Sequence, residues 1–174
     1  MANHFYLFDI MLEEAELILT QQMIKKYHKI LKNGTSDARK DWFNVGEYKS
    51  LPNEVGGKDT INPENVVKEM NKLLAWYNAL SEITFEEILD FHYRFESIHP
   101  FQDGNGRIGR IIMFKELLKN NITPFIIEDE SKAFYYRGLS EFESERGYLR
   151  DTCLSMQDLY KVVVDKYIGS LLNA

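Results

Sequence analysis

Apolar positions recur along most of this chain at intervals of three and four, the spacing that lines one face of an α-helix. Over residues 5–31 the series is Leu7, Ile10, Met11, Leu17, Ile18, Ile24, Tyr27 and Leu31, with polar residues between, and Asn33-Gly34 supplies a stop. Asn62 followed by Pro63 opens another helix, whose Val66, Val67, Met70, Leu73, Leu74 and Tyr77 form an apolar face. Thr84 with Glu87 three residues on matches a capping box ahead of Ile88, Leu89, Phe91 and Phe95. That helix is expected to end near Ile98, because a residue before proline resists the α region. A further helix is expected from about Gly106, with Ile108, Ile111, Ile112, Phe114, Leu117 and Leu118 inward, and two more over about 131–144 and 148–172.

One segment departs from this period. Residues 45–63 hold short runs around 47–51 and Val55, parted by Pro52-Asn53 and broken again at Gly56-Gly57. They read as a small β-hairpin or flap, spanning about 45–62, on a helical body. The expected class is therefore all-α with one hairpin, and 174 residues without a low-complexity linker or repeat are expected to form one domain.

Charge and cysteine usage narrow the function classes. A net charge of −6 argues against general nucleic-acid binding, which leaves a basic footprint. Cys153 is the only cysteine, so no internal disulfide forms, and Leu149, Met156 and Leu159 around it favour a buried thiol over a nucleophile. No apolar run approaches the ~18 residues of a membrane span, and the N-terminus lacks a basic leader region, so the expected location is cytoplasmic.

The chemistry concentrates in HPFQDGNGRIGR, residues 99–110. Within it GNGRIG matches the dinucleotide-binding pattern, and Glu128-Asp129 follow at about the distance of a ribose-binding acid. That reading requires a buried strand running into the first glycine. RFESIHPFQD stands there instead, charged, bearing a His-Pro pair and following a capped helix, and no second βαβ unit follows.

A phosphate site accounts for the same letters better. Gly104 and Gly106 let backbone approach an anion, and the helix beginning there presents free N–H groups and the positive end of its dipole. Asn105 offers its side-chain amide to an oxygen. Arg107 and Arg110, three apart, reach adjacent parts of one helical face and are suited to successive phosphates. Asp103, the lone acid among these cationic groups, is expected to stay ionised and to hold Mg²⁺ on the phosphates. His99, four residues earlier, has the ordinary pKa of a base at neutral pH, about 6.5. A base beside a metal-bound triphosphate implies activation of a hydroxyl for attack on phosphorus.

The stretch resembles the Fic motif, H-x-F-x-(D/E)-G-N-G-R-x-x-R, at every fixed position. The flap segment, MNKLLAWYN, AFYYRGL and the N-terminal NHFYLFDIML also look like Fic-domain segments. The resemblance implies an all-α Fic fold that transfers AMP from ATP to a Tyr, Thr or Ser hydroxyl of a protein, with release of pyrophosphate. It assigns His99 as general base, Phe101 as core anchor and Asp103 as the Mg²⁺ ligand, with Mn²⁺ as an alternative metal. Gly104, Asn105 and Gly106 become the anion hole for the α- and β-phosphates, with Arg107 on the β- and Arg110 on the γ-phosphate. Val55, Gly56, Gly57 and Lys58 of the flap would cover the nucleotide and align the target by strand-like pairing. Tyr135 and Tyr136 match a tyrosine pair near the nucleoside; Glu143 stands where some members carry Asn, which leaves that contact open. Gly106 in place of the lysine of the phosphotransferase branch favours AMP transfer, although phosphocholine transfer and AMP removal are also compatible with the motif.

Many Fic proteins are restrained by a helix of pattern (S/T)-x-x-x-E-(G/N), whose Glu pairs with the second motif arginine, here Arg110. The one match, from Thr60 through Glu64 to Asn65, contains Pro63, which costs about 3 kcal/mol inside a helix. It is read instead as the end of the flap and the cap of the next helix. The expectation is a trimmed chain, or one restrained by a separate antitoxin-like chain. His4, His28 and His92 have no acid or cysteine partner at metal spacing, and His92 is expected in the core or at the groove rim. Tyr135 and Tyr136 cannot both face inward from one helix. The competing function is a Fic-fold module that senses or binds nucleotide without turnover, which would not require a base. A homo-oligomer is compatible with the acidic helical surface, although no exposed heptad seam specifies one.

Overall fold

The computed structural model describes residues 2–172. Its elements are α1 (Ala2–Glu13), α2 (Gln21–Lys32), β1 (Glu54–Val55), β2 (Lys58–Asp59), α3 (Pro63–Asn78), α4 (Phe85–Ile98), α5 (Asn105–Lys119), α6 (Lys132–Ser140) and α7 (Gly147–Leu172). Short 3-10 turns lie at Asp37–Arg39 and Asp129–Ser131. The protein is thus helical with one two-stranded antiparallel ribbon, as the periodicity predicts. The chain divides after Lys119 into two compact units.

In the first unit α5 packs against α4, α1 and α2, while α3 lies against α4 and α2. Leu7, Met11, Ile24, Tyr27, Val66, Met70, Phe95, Ile108 and Ile112 are wholly buried between these helices. The capping box at Thr84 forms, and it fixes where α4 begins. Pro63 stands at the first position of α3; Asn62 precedes it but makes no side-chain cap. Val67, expected inside, is exposed beside the buried Val66.

The continuous pattern over 5–31 resolves into two helices. Thr20 adopts an extended conformation (φ −133°) and its Oγ1 accepts from the Met23 N–H at 3.2 Å, so α2 starts afresh there. Leu17 and Ile18 lie exposed in the intervening turn, and Leu19 is buried instead. The turn is held from inside: the Lys115 ammonium, fully buried, donates to the carbonyls of Ala15 at 3.1 Å and Leu17 at 2.6 Å. It also pairs with Glu116 at 2.9 Å, whose other oxygen accepts from the Tyr77 hydroxyl at 3.0 Å. Every partner of this buried pair is thereby satisfied, the condition under which such a pair is tolerated in a core.

In the second unit α6 crosses α7 closely: a Cβ on Gly138 would meet the Leu149 Cα at 2.6 Å, so only glycine fits. Cys153 is buried on α7, and burial pushes its thiol up to about 12, which makes it inert. The segment 122–128 is irregular, and Gly104 is reached from α4 through the irregular loop 99–103, so the strands of a dinucleotide-binding unit are lacking among the described residues. No helix there is long and apolar enough to cross a membrane.

Candidate active site

α4 ends as the proline rule predicts. His99 is its C-cap, in the left-handed region at φ 51° and ψ 61°, with its N–H bonded to the Phe95 carbonyl at 3.0 Å. A non-glycine residue there carries strain, which the surrounding structure must hold. The His99 Nδ1 lies 3.3 Å from the Glu96 carbonyl, which can only accept, so Nδ1 carries the proton and Nε2 keeps its lone pair. Burial lowers the His99 pKa, the Glu96 carbonyl and Asp103 oppose that, and Lys49 adds to it. The net result is a neutral imidazole at pH 7 with a free basic nitrogen.

Beyond Pro100 the chain doubles back through a loop fixed from inside. Phe101 is fully buried, and its ring stacks on that of His28 with centroids 4.0 Å apart and planes 4° from parallel. Asn105 is also buried; its Oδ1 accepts from the Phe101 N–H and its Nδ2 donates to the Phe101 carbonyl, each at 2.8 Å. The side-chain amide that the sequence offers to a ligand oxygen is therefore turned back on the loop, and what Asn105 presents outward is backbone. Gly104 has φ +90° and packs against α2, where a Cβ would stand 3.4 Å from the Leu31 Cδ2. The loop leads into α5, whose first turn bears N–H groups without intrahelical acceptors.

Two residues of α2, one turn apart, grip Asp103. The Gly46 N–H donates to the His28 Nδ1 at 3.0 Å, which leaves the His28 Nε2–H to donate to the Asp103 carbonyl, also at 3.0 Å. Burial takes the His28 pKa down to about 4, so the ring is neutral. Lys32, 3% exposed, places its Nζ 2.5 Å from the Asp103 Oδ2 and 2.7 Å from the Asp37 Oδ2. Arg107 reaches the same Asp103 oxygen at 3.1 Å. Burial opposes ionisation of Asp103, but Lys32, the Gly104 N–H and Arg107 together hold it below the usual carboxylate range. The other Asp103 oxygen takes part in neither ion pair. One ionised acid beside the N-terminus of α5 suits magnesium, which commonly takes one or two carboxylates plus substrate phosphates.

Arg110 differs from Arg107. Among the described residues it makes no ion pair, and its guanidinium folds over Gly106, where a Cβ would stand 3.1 Å from Nη1. Gly106 leaves room for that guanidinium above the opening turn of α5. Behind it, Gly109 admits two α4 side chains: a Cβ there would lie 2.4 Å from the Glu96 Oε1 and 3.0 Å from the His92 Cε1. His92 is buried, and burial and Arg110 take its pKa down to about 3. Burial raises Glu96 to about 7, with Arg110 opposing.

The hairpin forms with the register Glu54↔Asp59 and Val55↔Lys58, and Gly56 and Gly57 both have positive φ (58° and 75°), as a two-residue primed turn requires. Val55, Gly56, Gly57 and Lys58 are all exposed. Only residues 54–59 are ribbon; the run at 47–51 is irregular and anchors it. Gln102, at a variable motif position, is linked to Leu51 in both directions, accepting from its N–H at 3.3 Å and donating to its carbonyl at 3.4 Å.

His99, Asp103, Gly104, Asn105, Gly106, Arg107 and Arg110 thus lie together at the junction of α4 and α5, with the flap base sewn to them. In the second unit Tyr135 is buried and Tyr136 is 55% exposed, the division their adjacency on one helix demands. Glu64 is exposed in the first turn of α3 and makes no ion pair with Arg110 among the described residues. The sequence reading missed His28, Lys32 and Lys49, all buried. Lys32 carried one signal, a lysine on the inward face of α2, which demands a partner.

A family model described as "Fic/DOC family" matches residues 18–117. The curated relatives include "Protein adenylyltransferase fic-1" of Caenorhabditis elegans, 25% identical over 162 residues, which cover 91% of this chain and 30% of that protein. "Protein adenylyltransferase Fic" of Aedes aegypti is 29% identical over 126 residues, 71% of this chain and 25% of that protein. The chain thus spans a third or less of the length of these two relatives. Among solved structures, a Fic domain containing signaling protein from Bacteroides thetaiotaomicron superposes with a TM-score of 0.76 at 25% identity, covering 91% of this chain and 66% of that one.

Proposed function

The chain belongs to the Fic/DOC family, and we propose from that premise that it transfers AMP from ATP to a hydroxyl of a protein target. The observation that carries this reading is the state of His99. Its Nδ1–H is committed to the Glu96 carbonyl and its Nε2 bonds to none of the described residues, at the end of α4 where the chain turns toward the N-terminus of α5. A neutral imidazole so fixed is a general base rather than a phosphate ligand.

The target hydroxyl gives its proton to the His99 Nε2 as its oxygen bonds to the α-phosphorus. The bond from that phosphorus to the bridging oxygen breaks, and pyrophosphate departs with the electron pair. Backbone N–H groups of the loop and of the first turn of α5 receive the phosphate oxygens, and the helix dipole favours their charge. Arg110, without an acid partner, takes the terminal phosphate, and Arg107 swings from Asp103 to the middle one. Magnesium, held by Asp103, would neutralise the departing pyrophosphate. The exposed ribbon offers its backbone to an extended target segment. A donor such as ATP accords with a cytoplasmic setting.

The test is incubation with α-³²P-labelled ATP and magnesium, alone and with cell lysate, beside His99→Ala and Arg110→Ala. Label on protein that is lost with His99→Ala is the expected result. Nucleotide binding that depends on Arg110, with no label under any condition, would instead identify a nucleotide-sensing module.

A further inference from the structure

Lys49 lies just ahead of the hairpin and is 3% exposed. Its Nζ donates to the Asn53 Oδ1 at 2.7 Å and the Thr60 Oγ1 at 2.6 Å, and reaches the Ile98 carbonyl at 3.4 Å. Asn53 precedes β1 and Thr60 follows β2, so a single ammonium holds both ends of the ribbon. Ile98 is the last residue of α4, next to His99. The main chain repeats the connection: the Lys49 N–H donates to the Pro100 carbonyl at 2.8 Å, and the Asn53 Nδ2 to the Phe101 carbonyl at 3.0 Å.

All the acceptors are neutral. Among the described residues no carboxylate pairs with Lys49, and burial draws its pKa down to about 8. A scaffold needing only hydrogen bonds would be served by an uncharged donor. Of the charged groups acting on the His99 ring, Lys49 disfavours the imidazolium and Asp103 favours it, in addition to burial and the Glu96 carbonyl.

We propose that Lys49 is a positioning residue of the transfer reaction: it fixes the hairpin in register with the His99 turn and places an uncompensated positive charge beside the His99 ring. The proposal rests on the reading of His99 as the base. One group thereby couples the element that receives the target to the group that deprotonates it.

The test follows the His99 ring by NMR through a pH titration in the wild type, Lys49→Met, Lys49→Gln and Lys49→Arg, with no nucleotide or target present. Lys49→Gln keeps a donor without the charge, so it serves where Lys49→Met does not fold. In a folded neutral variant the His99 midpoint rises by about half a pH unit or more, and Lys49→Arg returns it toward the wild-type value. Exchange of the Thr60 N–H, which bonds the Asn53 carbonyl at 3.2 Å, accelerates about tenfold in Lys49→Met as the ribbon loosens. The acid limb of the transfer rate moves to higher pH with the His99 midpoint. A folded neutral variant whose His99 midpoint stays at the wild-type value overturns the proposal. Failure of the parent reading looks different: His99→Ala keeps its transfer activity, while the Lys49 effect on the ring titration stands.

Discussion

His28 and Asp103 are joined by a hydrogen bond from the imidazole Nε2–H to the backbone carbonyl at 3.0 Å, across 75 residues of sequence. Because Nδ1 accepts from the Gly46 N–H, both ring nitrogens are committed in one tautomer, and the ring's face is stacked on Phe101. Replacing His28 by Phe keeps the stacking and abandons two buried polar groups. The expected cost is about 2–4 kcal/mol, measured by urea unfolding. A loss below about 0.5 kcal/mol would show that water satisfies both groups.

The buried histidines set the acid side of the stability profile. His28 and His92, taken down to about 4 and about 3 from an ordinary 6.5, are neutral in both states above that value. As pH falls below it the unfolded chain gains protons that the native one refuses, so stability drops, at about 1.4 kcal/mol per pH unit for each ring. Glu96, raised to about 7, acts in the opposite sense, because the native state binds its proton first. Two histidines, with His99 lowered in the same sense, against one glutamate leave a net loss between about pH 6.5 and 4.5, of about one proton's slope or more. Chemical denaturation at half-unit pH steps checks the sign, and Glu96→Gln should steepen the fall.

Gly109 occupies a variable position of the motif, yet a Cβ there would stand 2.4 Å from the Glu96 Oε1. Gly109→Ala should cost about 1–3 kcal/mol through displacement of Glu96 and His92. Pairing it with Glu96→Ala should recover a substantial part of that loss, a non-additivity that a double-mutant cycle reads directly.

Arg110 presents the opposite case, a cation without an acid partner among the described residues. Arg110→Ala should leave the unfolding free energy within about 0.5 kcal/mol of the wild type. Its affinity for magnesium-ATP should fall about 10- to 100-fold, the worth of a charge-assisted phosphate contact, by calorimetric titration.

What could be read in advance was local. The capping box at Thr84 closes within three residues, the stop at Ile98 follows from Pro100 two residues on, which restricts His99, and Gly56-Gly57 allows one sharp turn. The motif was legible because its parts sit within twelve consecutive positions. The partners of Asp103 were not: His28 and Lys32 come from 75 and 71 residues away, and no local pattern reveals which loop a helix face will meet. The helix break at Thr20 was masked by an apolar period that continues through it, and the Lys115 contacts that hold the turn span about a hundred residues. Asn105 went astray for a related reason: an exposed-looking amide between glycines proved to be the internal clamp of its own loop.

The hairpin's attachment divides its residues into two mutational regimes. At Glu54, Val55, Lys58 and Asp59 side chains project into solvent and the ribbon depends on its backbone, so replacements there cost little folding free energy. At Lys49, Asn53 and Thr60 each side chain closes bonds that its neighbours share, and drift at one strands the other two. A lineage can therefore rewrite the outward surface of the ribbon many times over while its mounting stays fixed, which lets new partners be sampled without rebuilding the chemistry beneath.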